Sequence, residues 1–401
     1  MKKTFLMILL TLCLSGCTSD QLTQDAQSEP PEGVEVVLPD TDETPALSDD
    51  APGEPAAVQP ADEPAAAEPA GDADSTEAVD ALEGLGATLR RDGDGRVVEV
   101  SFRGTSIGDD ALEHLAGLPR LRAVLLNDTG ITDTGLATLG TIATLENIDL
   151  RGCAVSNDGL AHLKDLKRLR ALRLAGSEGK TSVDDQGLAA LAGLGGLKVL
   201  ALDGLWVGEE GLAQLKGCDK LEELYMAQTL VGDEALALLS QFPHLKRLRI
   251  SQTQVADGGL AHLEQLTQLE NLDISECAQV TDAGLAHLAG ITSLQSLNLW
   301  RVTVTDEGVA HLAGLTNMKW LNLDNTLMTD AGLQYLKDMQ QLEFLHLGST
   351  AVSDAGLVHL EPLKALKTLA VTRTAVTEAG VEQLRKKLPD TEIQLKYIEG
   401  Q

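Results

Sequence analysis

The stretch Leu342-Glu-Phe-Leu345-His-Leu347-Gly-Ser-Thr350-Ala-Val352-Ser-Asp354-Ala-Gly356-Leu357-Val-His-Leu360-Glu-Pro-Leu363 changes its period half-way along. Leu345 and Leu347 alternate with His346, which is the two-residue period of a strand. Leu357, Leu360 and Leu363 recur every three residues and line one face of a helix. Ser353 is placed to cap that helix, and Asp354 puts negative charge on its first turn. One such strand and helix cannot bury their apolar faces alone, so the unit needs copies of itself on either side.

The copies are present. Units aligned on their first apolar residue begin at Val97, Leu121, Leu145, Leu169, Leu197, Leu221, Leu245, Leu269, Leu294, Met318, Leu342 and Leu366. Ten of the eleven intervals are 24 or 25 residues, so the chain is an array and not a set of separate globular cores. The remaining interval is 28, with its extra residues inside Ser177–Ser182. Loops tolerate such length at small entropic cost, and a neutral insertion is the simplest reading. An acid stands just after the capping position in 11 of the 12 units, Asn157 being the exception. Two residues further on, Gly or Ala is invariant across the units, as at Gly135, Gly159, Ala235 and Gly332. Helix starts account for the acids, and close backbone approach accounts for the small residues, so neither set needs a catalytic role.

In its L-x-x-L-x-L pattern and its tail Val280-Thr-Asp-Ala-Gly-Leu285, the chain resembles the leucine-rich repeat family, and within it the cysteine-containing subclass. The position that often carries Asn or Cys in that family carries mostly Thr here (Thr105, Thr129, Thr229, Thr253, Thr326, Thr350, Thr374), with Cys153 and Cys277 in the same place. The resemblance implies an α/β solenoid of the ribonuclease-inhibitor-like horseshoe type, with about twelve 24-residue repeats. Its parallel strand ladder is expected on the concave side and its helices on the convex side. Strands 4.8 Å apart give that ladder an inner edge of roughly 55 Å. The expected divisions are an N-terminal cap over 78–96, repeats over 97–390 and a C-terminal cap over 391–401, because terminal repeats must close off the core. The subclass is also known from F-box proteins, but nothing before residue 97 resembles an F-box, and that function is rejected.

Upstream of the array the composition changes twice. Lys2 and Lys3 precede an apolar run from Phe5 to Leu14, followed by Ser15-Gly16-Cys17. This is a secretory signal over 1–16, too short to span a bilayer. Leu14-Ser15-Gly16-Cys17 resembles the lipobox of bacterial lipoproteins, which implies lipidation at Cys17 and membrane attachment through that lipid alone. The expected localisation is the cell envelope, lipid-anchored, with Thr18 after the cysteine leaning toward the outer membrane. Residues 18 to 77 hold 17 acids, no Lys or Arg, and nine of the chain's 13 prolines, so 17–77 reads as an extended, disordered tether.

The formal charge of −30 argues against nucleic acid as a partner, since phosphate binding needs clustered Lys and Arg. Conventional catalytic and metal-binding patterns do not emerge. Asp92-Gly-Asp94-Gly opens like a calcium loop but lacks the closing acid, Arg103 standing there, and a hairpin turn is the better reading. Gly193-Leu-Gly195-Gly196 is a junction between repeats and has no phosphate loop around it. His114, His162, His262, His287, His311 and His359 share one repeat position, but neighbouring helices 8–10 Å apart would have to converge their side chains to share a metal. Duplication explains the row. Cys153, Cys218 and Cys277 are widely spaced and read as small buried hydrophobes. No cofactor, metal or catalytic residue is assigned.

Aromatics carry the site expectation. Nine lie outside the signal, and four of these, Tyr225, Trp300, Trp320 and Phe344, fall on outward positions of the strand segments. Trp320 and Phe344 occupy the same repeat position and are expected side by side, with His346, Asn322 and Asp324 as polar companions. Aromatics on an otherwise polar face are typical interface anchors. The expected function is non-catalytic: a membrane-anchored scaffold that binds an unidentified protein through its concave face. The alternative is a cell-wall or polysaccharide binder, since Trp and Phe also stack on sugar rings.

Overall fold

The computed structural model describes residues 73–176 and 180–396. The signal, Cys17, most of the tether, Ser177–Gly179 of the insertion and the last five residues lie outside these described residues.

Fourteen strands follow one another in chain order in one sheet. The first pair, Thr88–Arg91 and Val97–Ser101, is an antiparallel hairpin, and every later pairing is parallel. Register is repeat-perfect at the centre: Leu297 pairs with Leu321, Leu321 with Leu345 and Leu345 with Leu369. These middle leucines point into a single core that runs from Leu82 to Ile393, in which the consensus leucines are fully buried. Each contributes about 1.5–3 kcal/mol by leaving water. Among the described residues Phe102 and Phe242 are the two aromatics wholly inside that core, which is otherwise aliphatic.

Most repeat strands are followed by a left-handed residue at one repeat position, the exception being the unit with the insertion, where Gly176 stands there. Asp128, Gln228, Gln252, Glu276, Arg301, Asn325, Ser349 and Arg373 all have φ between 50° and 62°, and Gly104, Gly152 and Gly204 serve elsewhere. The threonine that follows donates its hydroxyl back three residues, as Thr326 does to Leu323 O at 2.7 Å and Thr350 to Leu347 O at 2.6 Å. Cys153 and Cys277 instead reach the preceding repeat, each placing Sγ 3.2 Å from a carbonyl there (Leu126 O and Ile250 O). Their structural reading holds.

The helix side is built of short segments, and several are 3₁₀ turns, including Gly332–Leu336 and Gly356–Leu360. The three-residue spacing of Leu357 and Leu360 is therefore literal, because side chains three apart eclipse in a 3₁₀ helix and both reach the core. Ser353 is not the cap of this turn, which begins after Ala355 without a side-chain cap; its hydroxyl instead accepts from the Ala355 N–H at 3.2 Å in the residues leading into it.

The acid after the cap has a different main task from the one its sequence position indicates. Its carboxylate turns to the next repeat. Asp306 accepts from the N–H and hydroxyl of Thr329 at 2.8 and 2.6 Å, Asp330 likewise from Ser353 at 2.7 and 2.6 Å, and Asp354 from Thr377 at 2.7 Å for both. The invariant small residue is the other half of the arrangement: a Cβ on Gly332 would lie 2.5 Å from Asp306 Oδ1, and one on Gly356 2.4 Å from Asp330 Oδ1. Close approach is real, but it is by the neighbouring carboxylate. Asn157 fills the same role by accepting from the Asp184 N–H at 3.1 Å and donating to its carboxylate at 2.7 Å. That bond holds the Asp184 carboxyl below its ordinary range.

At the N-terminal end, helix Thr76–Gly84 is capped by Ser75, and Asp74 accepts from the Val97 N–H at 2.8 Å. Folded structure thus begins inside the segment assigned to the tether. The Asp92 side chain accepts from the Asp94 and Arg96 N–H groups, and Arg120 pairs with both acids, so this stretch is the expected turn. At the other end the helix Glu378–Arg385 precedes a last strand, Glu392–Gln394, which covers the ladder edge.

Candidate functional site

The outward face of the ladder has two halves of different chemistry. From strand Asn147–Asp149 to strand Arg247–Arg249 it is a field of paired charges. Asp149 binds Arg151 through two bonds of 3.0 and 2.9 Å and lies 3.8 Å from Arg103. Arg173 donates to Asn147 Oδ1 at 2.8 Å and is only 2 % exposed, and that burial pulls its guanidinium below the ordinary arginine range. Glu223 pairs with Arg247, and Asp203 with Arg249. Beneath these pairs Ala171, Val199, Ala201 and Tyr225 form a small apolar cluster separate from the main core.

Tyr225 therefore belongs with structure more than with an open patch. It is 3 % exposed, donates its hydroxyl to Glu223 at 2.8 Å and lies under the Arg249 guanidinium, 5.1 Å from its ring centre. Burial pushes its phenol well above the ordinary range, with the Glu223 charge adding to the shift. An aromatic on an alternating strand position gives no sign in sequence of whether charged neighbours will close over it.

From strand Asn271–Asp273 onward the face is largely uncharged. Asn271, Ser296, Asn298, Trp320, Asn322, Phe344 and His346 follow on successive strands. Trp320 and Phe344 are register partners, and their rings stack at 5.0 Å with 5° between planes. His346 meets the Phe344 ring edge-on at 6.3 Å. The structure thus brings together Trp320, Phe344 and His346. Asn322, in register with His346, is nearly buried and accepts from the Asp324 N–H at 2.9 Å. Trp300 stands beyond the end of its strand, outside the stack, with Arg301 over its ring at 5.3 Å. Burial holds the His346 imidazole below the ordinary histidine value, and Asp324 opposes this.

A depression separates the halves. Tyr225, Arg247 and Arg249 form one wall, Asn271, Asp273, Ser296 and Asn298 the floor, and Trp320 the other wall. Burial raises the Asp273 carboxyl, and hydrogen bonds from Ser275 and Asn298 work against that. Since Phe344 covers one face of Trp320, the indole is held rigid with its other face toward the small Ser296 side chain.

No protein-family model matches the chain, and no curated protein matches it in sequence. Solved structures do match in shape. An internalin from Listeria monocytogenes aligns with a TM-score of 0.57 at 18% identity, covering 82% of this chain and 96% of its own. A chain of the yeast Rad7–Elc1 complex aligns with a TM-score of 0.54 at 17% identity, covering 72% and 79%. The fold is a leucine-rich-repeat solenoid. At these identities the likeness is one of fold, and it agrees with the fourteen-stranded sheet.

Two features of the solenoid bear on sites elsewhere. Among the described residues Trp206 is the most exposed aromatic, at 76 %, on the loop between strand Val199–Asp203 and helix Glu209–Gln214. Leu230 and Leu327 occupy the same repeat position and are also exposed. Sequence reasoning passed over Trp206, although the position carries Gly130, Ala154, Gln254 and Ala351 in other units, so a tryptophan there was a legible departure. The histidine row stays dispersed: His287 pairs with Glu264 at 2.7 Å, and no group of three metal-ligating side chains gathers among the described residues.

Proposed function

We propose that this chain is an exported, lipid-anchored protein whose leucine-rich-repeat solenoid binds a protein partner through the C-terminal half of its strand face, without catalysis. The observation that carries the reading is the Trp320–Phe344 stack. Two large rings are stacked and half-exposed on a stretch of the ladder with few charges, beside a field of paired charges. Rigid aromatics lose little conformational entropy on binding and supply most of the contact area of an interface hot spot. The same fold occurs in the Rad7–Elc1 complex, which is a protein–protein assembly.

Export and anchoring rest on the sequence of residues 1–17, and the acidic segment after Cys17 would hold the solenoid away from an anionic membrane surface. Replacing Cys17 with Ser should move the chain from the membrane fraction to the soluble envelope fraction. Unchanged partition would remove the lipid anchor from the account.

A second reading has one observation in its favour. The open face of Trp320 borders Asn271, Ser296 and Asn298, a combination that also suits a neutral sugar ring of wall glycan. The two readings separate in one experiment. The full chain and its Trp300→Ala/Trp320→Ala/Phe344→Ala variant are used as bait in envelope extract, with and without free wall oligosaccharide. A protein retained by the native bait, lost with the variant and indifferent to oligosaccharide supports the first reading. Recovery abolished by oligosaccharide supports the second, and equal recovery on both baits moves the site away from this face.

A further inference from the structure

One repeat position of the ladder carries Arg247, Asn271, Ser296, Trp320 and Phe344 on successive strands, each in register with the next. Four of these side chains end in a planar group, and Ser296 alone is short. Phe344 and Trp320 stack nearly parallel at 5.0 Å, close to the ~4.8 Å between strands, so their ring faces look along the ladder. Over Ser296 the row of planar groups is interrupted. Asn271 and Trp320 stand two strand spacings apart there, about 9.6 Å. This gap is the depression that divides the two halves of the face.

The floor of the gap holds an uncommitted hydroxyl. Ser296 is 7 % exposed, and among the described residues its side chain donates no hydrogen bond. Neighbouring polar groups are engaged: Asn298 Oδ1 accepts from the Trp300 N–H at 3.2 Å, and Asp273 Oδ1 from the Ser275 hydroxyl at 2.7 Å. The enclosed volume is about 30 Å³, room for the tip of one side chain, so the body of an occupant lies along the open indole face.

These constraints select the occupant. An apolar ring continues the Phe344–Trp320 stack, and one polar group at its tip meets the Ser296 hydroxyl. A cationic tip would face the Arg247 and Arg249 wall, and an anionic tip the Asp273 carboxyl, so a neutral tip fits best. Phenylalanine lacks the tip, and serine or threonine lacks the ring. A phenol has both, and a buried phenol hydroxyl seeks a hydrogen-bond partner.

We propose that the gap over Ser296 is a tyrosine pocket, in which a tyrosine of the protein partner lays its ring on the open face of Trp320 and hydrogen-bonds Ser296 Oγ; this rests on the protein-binding reading of the strand face. Trp320 is then the middle ring of three. Ser296 sets tyrosine above phenylalanine, because a phenyl ring leaves its buried hydroxyl without a partner.

The test is a titration of the full chain, followed through the indole NMR signals of Trp320, which are assigned by their loss in Trp320→Ala. The probes are Nα-acetyl-tyrosine amide, Nα-acetyl-phenylalanine amide, Nα-acetyl-arginine amide and N-acetylglucosamine. A saturable upfield shift with the tyrosine probe is expected, with the phenylalanine probe binding roughly fivefold more weakly for want of one hydrogen bond. Ser296→Ala should remove that preference and keep the ring contact. Ser296→Leu should abolish the shift by filling the gap, and an unchanged melting temperature shows that each variant is folded. The proposal is overturned if the tyrosine probe gives no saturable shift, if the native chain binds both ring probes equally, or if the preference survives Ser296→Ala. It is also overturned if the arginine or sugar probe shifts Trp320 as strongly. Partner capture separates this from the reading beneath it. Loss of the partner with Trp320→Ala/Phe344→Ala but full retention with Ser296→Leu would keep the face and reject the tyrosine pocket. Retention by both would reject both.

Discussion

Asp306 accepts hydrogen bonds from the N–H and the hydroxyl of Thr329 in the following repeat, and Gly332 leaves the space in which that carboxylate sits. The pairing recurs along the solenoid, and its exceptions explain themselves. Ala replaces Gly at two places. Ala111 belongs to the first repeat, which has no repeat before it, and Ala235 follows Glu209, whose longer side chain is exposed to solvent. Thus the residue after the cap and the small residue of the next unit form one two-part device, repeated because the repeats stack.

Removing the carboxylate leaves the Thr329 N–H without its partner. Asp306→Ala should cost about 2–3 kcal/mol in denaturant unfolding, the range for a charge-assisted bond at a part-buried site. Gly332→Ala should cost about 1–3 kcal/mol in the native background, through overpacking against Asp306. In the Asp306→Ala background the same change should cost clearly less, because the nearest obstructing group is gone and only the flexible Met328 methyl, 2.9 Å away, must shift. A double-mutant cycle with no coupling would refute the two-part device.

The Trp320–Phe344 stack lies on the surface side of the ladder and should contribute modestly to stability. Trp320→Ala is expected to cost about 1 kcal/mol, near the 0.5–1.5 kcal/mol of an aromatic pair. A loss of several kcal/mol would place the indole in the core and remove it from the binding face.

Much of this was legible in sequence, and for a physical reason. A repeat that must stack on its own copies writes its strand period, its core leucines and its register twelve times over, so the ladder and the neighbours Trp320 and Phe344 could be read directly. What could not be read are contacts between residues some 24 positions apart whose chemistry is ambiguous locally. Asp354 looks like a helix start, and only the stacked structure shows it reaching Thr377. Tyr225 looks like an outward aromatic until Arg249 and Glu223 are seen around it.

His346 should titrate below 6.5, because burial disfavours its charged form. Asp324 pulls the other way, so Asp324→Asn should lower the value further. The unfolded chain then takes up a proton before the folded one does. His346's contribution to stability is complete above the unfolded value of 6.5 and falls as pH drops from there toward the folded value. NMR titration of the imidazole in both proteins checks the direction, and a value above 6.5 would contradict it.

The three thiols of the solenoid should be inert in the native state. Burial raises Cys153 and Cys277 and pushes Cys218 up to about 11, so little thiolate exists near neutral pH. Iodoacetamide at about pH 8 should leave all three unmodified in folded protein and alkylate them after denaturation, as read by peptide mass spectrometry. Native-state labelling of Cys218 would show that its repeat opens.

The central claim is that the partner covers the aromatic half of the strand face. Oxidative footprinting of the full chain, free and in complex with a partner captured from envelope extract, tests it directly, with the three tryptophans as reporters. Trp300 and Trp320 should lose reactivity in the complex while Trp206, on the loop edge, keeps its own. Protection of Trp206 with Trp300 and Trp320 unchanged would contradict the account and place the interface on the rim.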